Sequence, residues 1–173
     1  MKKIIPLLIF ITLFSSCENK KEAAKKVDTV VEKGAINTVL DAWHKSAAEA
    51  NFETYFEAMT NESVFIGTDA SENWKNNEFK EFSKPYFDKG KAWNFTSVKR
   101  TIYIYKDGKV AWFDELLDTW MGICRGSGVL IKNENNWKIE HYVLSLTIPN
   151  DNIDEVIKIN KEKDSLFLSK LKK

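Results

Sequence analysis

Residues 93–148 read WNFTSVKRTIYIYKDGKVAWFDELLDTWMGICRGSGVLIKNENNWKIEHYVLSLTI, and this stretch decides the fold. It is dense in β-branched and aromatic residues. Two turn signals interrupt it, Lys106-Asp107-Gly108 and Asn133-Glu134-Asn135-Asn136. The pattern predicts antiparallel strands over about 93–105, 109–121, 125–132 and 137–148. The first two are long for strands, so the sheet is expected to bend strongly.

Upstream the period changes from two to that of a helix. Ile36, Val39, Leu40, Trp43, Ala47 and Ala50 recur at helical spacing opposite Asn37, Asp41, Lys45 and Glu49, which predicts an amphipathic helix over 35–50. A shorter helix is expected over 52–59, and then a strand at Ser63–Ile66 that Gly67 ends. Asp69-Ala70-Ser71-Glu72 has capping-box spacing. It predicts a third helix carrying Trp74, Phe79, Phe82, Tyr86 and Phe87, which Pro85 should kink or end. Helices followed by one meander make an α+β domain over residues 34–150, with the helices packed in the concave face of a bent antiparallel sheet. Residues 151–173 read as a C-terminal helix.

The N-terminus has the parts of an export signal: Lys2 and Lys3, an apolar run from Ile4 to Phe14, and Ser15-Ser16 before Cys17. That run is too short to span a bilayer. A cysteine after two small residues reads as a lipobox, with residues 1–17 as signal peptide and Cys17 as the lipidation site; an ordinary secretory signal with an incidental cysteine is the alternative. Residues 18–33, rich in Lys, Glu and Ala, are expected to be a charged linker outside the core. The protein is thus expected to be a membrane-anchored lipoprotein facing the periplasm.

Cys124 is then the one remaining thiol, so stability must come from a core rather than a disulfide. Material for a core is plentiful: 43% of residues are hydrophobic, with six Trp and eleven Phe. Charge is balanced, 26 basic against 25 acidic residues, with no basic block, which argues against nucleic acid as a partner. Two histidines outside any metal-ligand spacing argue against zinc or iron. There is no phosphate loop or nucleophile elbow, and no cofactor is expected.

Alternation along Val110–Met121 places Ala111, Phe113, Glu115, Leu117 and Thr119 on one face and Trp112, Asp114, Leu116, Asp118 and Trp120 on the other. The first face is the more apolar and is assigned to the interior. Glu115 becomes an inward carboxylate, whose pKa uncompensated burial would raise toward the range of a general acid or base. The competing reading is a structural carboxylate paired with Arg125 or His141. On the last strand the same alternation puts Trp137, Ile139, His141, Val143 and Ser145 on one face, so His141 is expected beside Glu115. Arg125 and Ser127 share a face between Gly126 and Gly128; Arg125 could clamp a ligand carboxylate or neutralise Glu115. Trp43, Trp74 and Trp93 are expected in the core or a pocket wall.

With these elements in order, the phrases VLDAWHKSAAEAN, FIGTDASENW, AWFDELL, RGSGVL, WKIEHYVLS and TIPN resemble the SnoaL-like group of the nuclear transport factor 2-like superfamily over about residues 35–150. The resemblance implies a cone-shaped fold with a pocket at its wide end, lined in part by His141 and Ser145, with Asp69 and Glu72 near the rim. Helix capping accounts for those last two as well. Relatives include isomerases, dehydratases, cyclases and non-enzymatic association domains, so fold does not transmit function. The expected function is binding of an unknown small, partly apolar molecule. The alternatives are an enzyme using Glu115 with His141 in acid–base chemistry, and a dimeric interaction module. Trp112, Leu116 and Trp120 on the outer sheet face imply a homodimer, unless the C-terminal helix covers them.

Overall fold

A computed structural model describes residues 27–172. Cys17 and the rest of the expected signal lie outside the described residues. Helix α1, Thr29–Ala48, is followed by α2, Phe52–Glu57, and strands β1, Met59–Ile66, and β2, Asn73–Lys75. Helix α3, Asn76–Asp88, leads to β3, Thr96–Ile104, β4, Val110–Thr119, β5, Gly122–Asn133, and β6, Asn136–Leu146. A single 3-10 turn precedes α4, Ile153–Leu171.

The six strands form one curved sheet in the order β2-β1-β6-β5-β4-β3. It is not antiparallel throughout: β1 runs parallel to β6, and β2 pairs with the other side of β1 at the sheet edge. Helix α1 lies against β3 and β6, and α3 against β1. Between them sits a core dominated by rings, among them Trp43, Tyr55, Phe65, Phe79, Phe113 and Tyr142. Tyr55 stacks on Trp43 with centroids 5.0 Å apart, and Phe65 stacks on Phe79 at 4.0 Å.

Several boundaries differ from the sequence reading for physical reasons. Helix α1 starts at Thr29, inside the expected linker, because Asp28 caps it by accepting from Val30 N and Val31 N at 3.1 and 3.2 Å. Glu32 then ties the first turn to the sheet, accepting from Lys132 Nζ at 2.5 Å and Trp137 Nε1 at 2.8 Å. Those two donors hold its carboxyl below the ordinary pKa. Gly34, a poor helix former, lies inside α1 rather than ahead of it. Strand β1 begins at Met59, where the second helix was expected to end; β6 reaches it by donating Ile139 N to Ala58 O at 2.9 Å.

Residues Asp69–Glu72 form the reciprocal bond their spacing implies, Asp69 N to Glu72 Oε2 at 3.1 Å, but it closes a hairpin loop between β1 and β2. The third helix opens four residues later, where Glu78 Oε2 accepts from Lys75 N at 2.9 Å. Helix α3 continues past Pro85 for three residues before it ends at Asp88. Helix α4 has no buried residue and runs beside the Thr68–Ala70 loop.

Candidate functional site

Strand β4 follows its expected alternation. Ala111, Phe113, Glu115 and Leu117 are buried and their neighbours face out. The neighbours of Glu115 are not the expected ones. On β6 an extra residue, Glu140, bulges out: Val129 pairs with His141 but Leu130 with Ile139. Its carboxylate accepts from Thr60 Oγ1 at 2.6 Å on the adjacent strand. A one-residue bulge reverses every later side chain. Tyr142 and Leu144 therefore point inward, whereas His141 and Val143 are half-buried on the outer face and Ser145 is exposed there.

On β5 the glycines, not the polar residues, face the interior. A Cβ on Gly126 would lie 2.2 Å from Tyr142 Oη, and one on Gly128 would lie 2.8 Å from the Phe113 ring. These positions are glycine because the rings opposite, and at Gly128 also the His141 carbonyl oxygen 2.5 Å from such a Cβ, occupy the space. Arg125 is consequently exposed and Ser127 half-buried, both on the outer face and away from Glu115.

The partners of Glu115 come from elsewhere. His44 on α1 donates Nε2 to Glu115 Oε1 at 2.8 Å, and Tyr142 donates its hydroxyl to the same oxygen at 3.1 Å. Arg100 on β3 donates Nε to Oε2 at 2.9 Å, with Nη2 at 2.8 Å, while its Nη1 reaches Asp41 Oδ1 at 2.7 Å and Asn37 Oδ1 at 3.1 Å. Burial alone would raise the Glu115 pKa, but the His44 hydrogen bond and charge and the Arg100 guanidinium outweigh it, so the carboxyl titrates below its ordinary value. The expectation of a raised pKa is thus reversed. Glu115 is a fixed carboxylate, poorly suited to take up or hold a proton near neutral pH. Burial, and next the Glu115 charge, push the Tyr142 hydroxyl well up, which keeps it a donor.

A cavity of about 220 Å³ lies elsewhere, between α3, the β1–β2 loop, the 92–95 segment and the β4–β5 turn. Eight aromatic residues line it: Phe65, Trp74, Phe79, Phe82, Tyr86, Trp93, Phe95 and Trp120. Met121, Leu144 and Ala92 add apolar wall, and Gly67, Thr68 and Glu72 close the rim. Several rings lie in layers, Trp74 stacking on Phe82 at 4.3 Å and on Phe79 at 5.6 Å, and Phe79 on Trp93 at 5.9 Å. Trp120 is 81% exposed at the mouth, in the turn and not on the sheet face where alternation had placed it.

Of the residues expected to bind a ligand, Trp74 and Trp93 line this cavity. Trp43 and Phe113 are core, and Asp69 is an exposed loop residue whose carboxylate accepts from Ser71 N at 2.9 Å. Among the described residues no three His, Cys, Asp or Glu side chains converge as metal ligands do. The residues missed were His44, Arg100 and Tyr142 around the carboxylate and most of the aromatic wall. Arg100 had a readable signal, since a hairpin centred on Asp107–Gly108 sets it opposite Glu115.

With this geometry in hand, the family can be stated. Residues 36–149 match the SnoaL-like domain. The chain belongs to that family. No curated protein sequence matches the chain. Among solved structures, this SnoaL-like domain is similar to an NTF2-like protein of unknown function from Pseudomonas putida, at 11% identity, covering 72% of this chain and 92% of that one with a TM-score of 0.58. A cystatin-like fold domain from Nostoc punctiforme gives 13% identity, 83% and 98% coverage and a TM-score of 0.61. The association domain of C. elegans CaMKII gives 19% identity, 68% and 97% coverage and a TM-score of 0.56. At these identities the likeness is one of fold.

Proposed function

We propose that this SnoaL-like domain is a lipid-anchored binding protein that takes a small, largely apolar, ring-bearing molecule into the aromatic cavity. The observation that carries the reading is the composition of that cavity: eight rings around about 220 Å³. A dry apolar cavity of roughly 150 Å³ is enough for benzene, so this space fits one ring with a small substituent. Binding is favoured over acid–base catalysis because Glu115, the best candidate for a catalytic carboxylate, does not line the cavity and is held ionised by Arg100 and His44. Native protein extracted with mild detergent should release a copurifying aromatic compound on denaturation, detected by mass spectrometry. Calorimetry with single-ring compounds should give saturable binding that Trp74→Ala and Trp93→Ala weaken at least tenfold. No heat with any such compound would overturn the reading.

The anchor proposed is an acylated Cys17, with the domain facing the periplasm. Cys17→Ser should move the protein from the membrane to the soluble fraction; retention after a salt wash would reject the lipobox. A homodimer through the outer sheet face is proposed on one observation, the stacked Tyr103 and Trp112 rings, 5.6 Å apart and 43% and 44% exposed.

A further inference from the structure

Among the described residues, the cavity wall has one charged side chain, Glu72, and no Lys, Arg or His. The carboxylate of Glu72 is placed by its loop. Its Oε2 accepts from Asp69 N at 3.1 Å, and its carbonyl accepts from Gly67 N at 3.0 Å. A Cβ at position 67 would sit 2.2 Å from Oε2, so only glycine leaves the carboxylate room to lie against the loop. Lys89, whose Nζ stands 5.9 Å from the centre of the Tyr86 ring, is not part of the wall.

Three consequences follow from this arrangement. A wholly apolar ligand that closed the mouth would strip water from Glu72 and leave the carboxylate unpaired, which is costly. An anionic ligand would add repulsion. A ligand with a positive head instead meets the carboxylate and an electron-rich lining that includes Trp74, Trp93 and the exposed Trp120, and indoles attract cations best among the aromatic side chains.

Building on the binding function above, we propose that the ligand is an organic cation, an ammonium head carried on a small hydrophobic or aromatic body. Glu72 pairs with the head at the rim while the layered rings enclose the body. The carboxylate then sets the preference for charge, and the rings set size and shape.

Calorimetry with three probes of one shape tests this: benzyltrimethylammonium, its uncharged carbon analogue neopentylbenzene, and the anion benzylsulfonate. In wild-type protein at low salt the cation should bind about tenfold or more tighter than the neutral analogue, with the anion weakest. Glu72→Gln keeps an oxygen for Asp69 N, and it should erase the cation's advantage while leaving neopentylbenzene affinity unchanged. If that variant loses its fold, the salt dependence of wild-type protein decides the matter: 0.5 M salt should weaken the cation and spare the neutral probe. Equal or tighter binding of the neutral probe, or a cation affinity insensitive to both Glu72→Gln and salt, overturns the cation assignment and leaves the apolar cavity standing. Binding of none of the three overturns both.

Discussion

Arg100 and Glu115 face each other as cross-strand partners on β3 and β4, with the guanidinium Nε 2.9 Å from Oε2 and both side chains almost wholly withdrawn from water. A buried guanidinium that loses its counter-ion is the expensive case, because its desolvation is no longer offset. Glu115→Gln keeps the shape and an acceptor for Tyr142 but removes the charge. It is expected to destabilise the domain by about 3 kcal/mol, measured by urea unfolding at neutral pH. A neutral or stabilising outcome would show that the pair adds nothing to the fold.

The same network sets the acid limit of stability. The folded pKa of Glu115 lies below its ordinary value of 4.5, so its contribution is complete above that pH and is lost as pH falls through the folded value. Wild-type protein is therefore expected to lose more unfolding free energy between pH 7 and pH 3 than Glu115→Gln does. Equal losses would place the acid sensitivity on other carboxylates.

Much of the scaffold was legible because β4 alternates cleanly and the hairpin at Asp107–Gly108 fixes its register: Ile104 meets Ala111 and Arg100 meets Glu115. The site was less so. Alternation carries a face assignment only as far as the first bulge, and the Glu140 bulge turned His141 and Ser145 outward and Tyr142 inward without altering composition. The inward glycines of β5 misled for a related reason, since a polar residue between two glycines draws attention while the space the glycines leave is invisible until Tyr142 and Phe113 fill it. The cavity assembles from α3, two loops, a turn and single residues of β1, β2 and β6, a coincidence in space that no local period records.

Gly126 makes the Tyr142–Glu115 hydrogen bond possible by giving the tyrosine ring room. Gly126→Ala should cost about 1–3 kcal/mol through overpacking. The same substitution in a Tyr142→Phe background should cost less, because the nearest clashing atom, the hydroxyl, is gone. Additive costs in that double-mutant cycle, followed by thermal or urea unfolding, would mean that the two residues do not meet as described.

The exposed Tyr103–Trp112 pair makes the oligomeric state a direct test of the outer face. Helix α4, the competitor for that surface, runs beside the Thr68–Ala70 loop and leaves both rings in solvent. Sedimentation equilibrium at micromolar concentration should report a dimer, and Trp112→Glu should convert it to monomer by placing charge in an apolar contact. A monomeric wild-type protein would remove the homodimer from the account.

The start of α1 carries the last prediction. Residues 28–32 fall within the expected linker, yet Asp28 caps the helix and Glu32 clamps it to Lys132 and Trp137 at the β5–β6 end of the sheet. A chain beginning at Val27 keeps the cap and the clamp and should melt like the longer protein. One beginning at Gly34 loses both: an N-cap contributes about 1 kcal/mol and a hydrogen bond to a charged group about 1.5–3 kcal/mol. Its unfolding free energy should therefore fall by about 2 kcal/mol or more, with Glu32→Ala in the longer chain reproducing much of the loss. If the chain starting at Gly34 proves as stable as the one starting at Val27, the first turn of α1 adds nothing to the fold and the core does begin beyond residue 33.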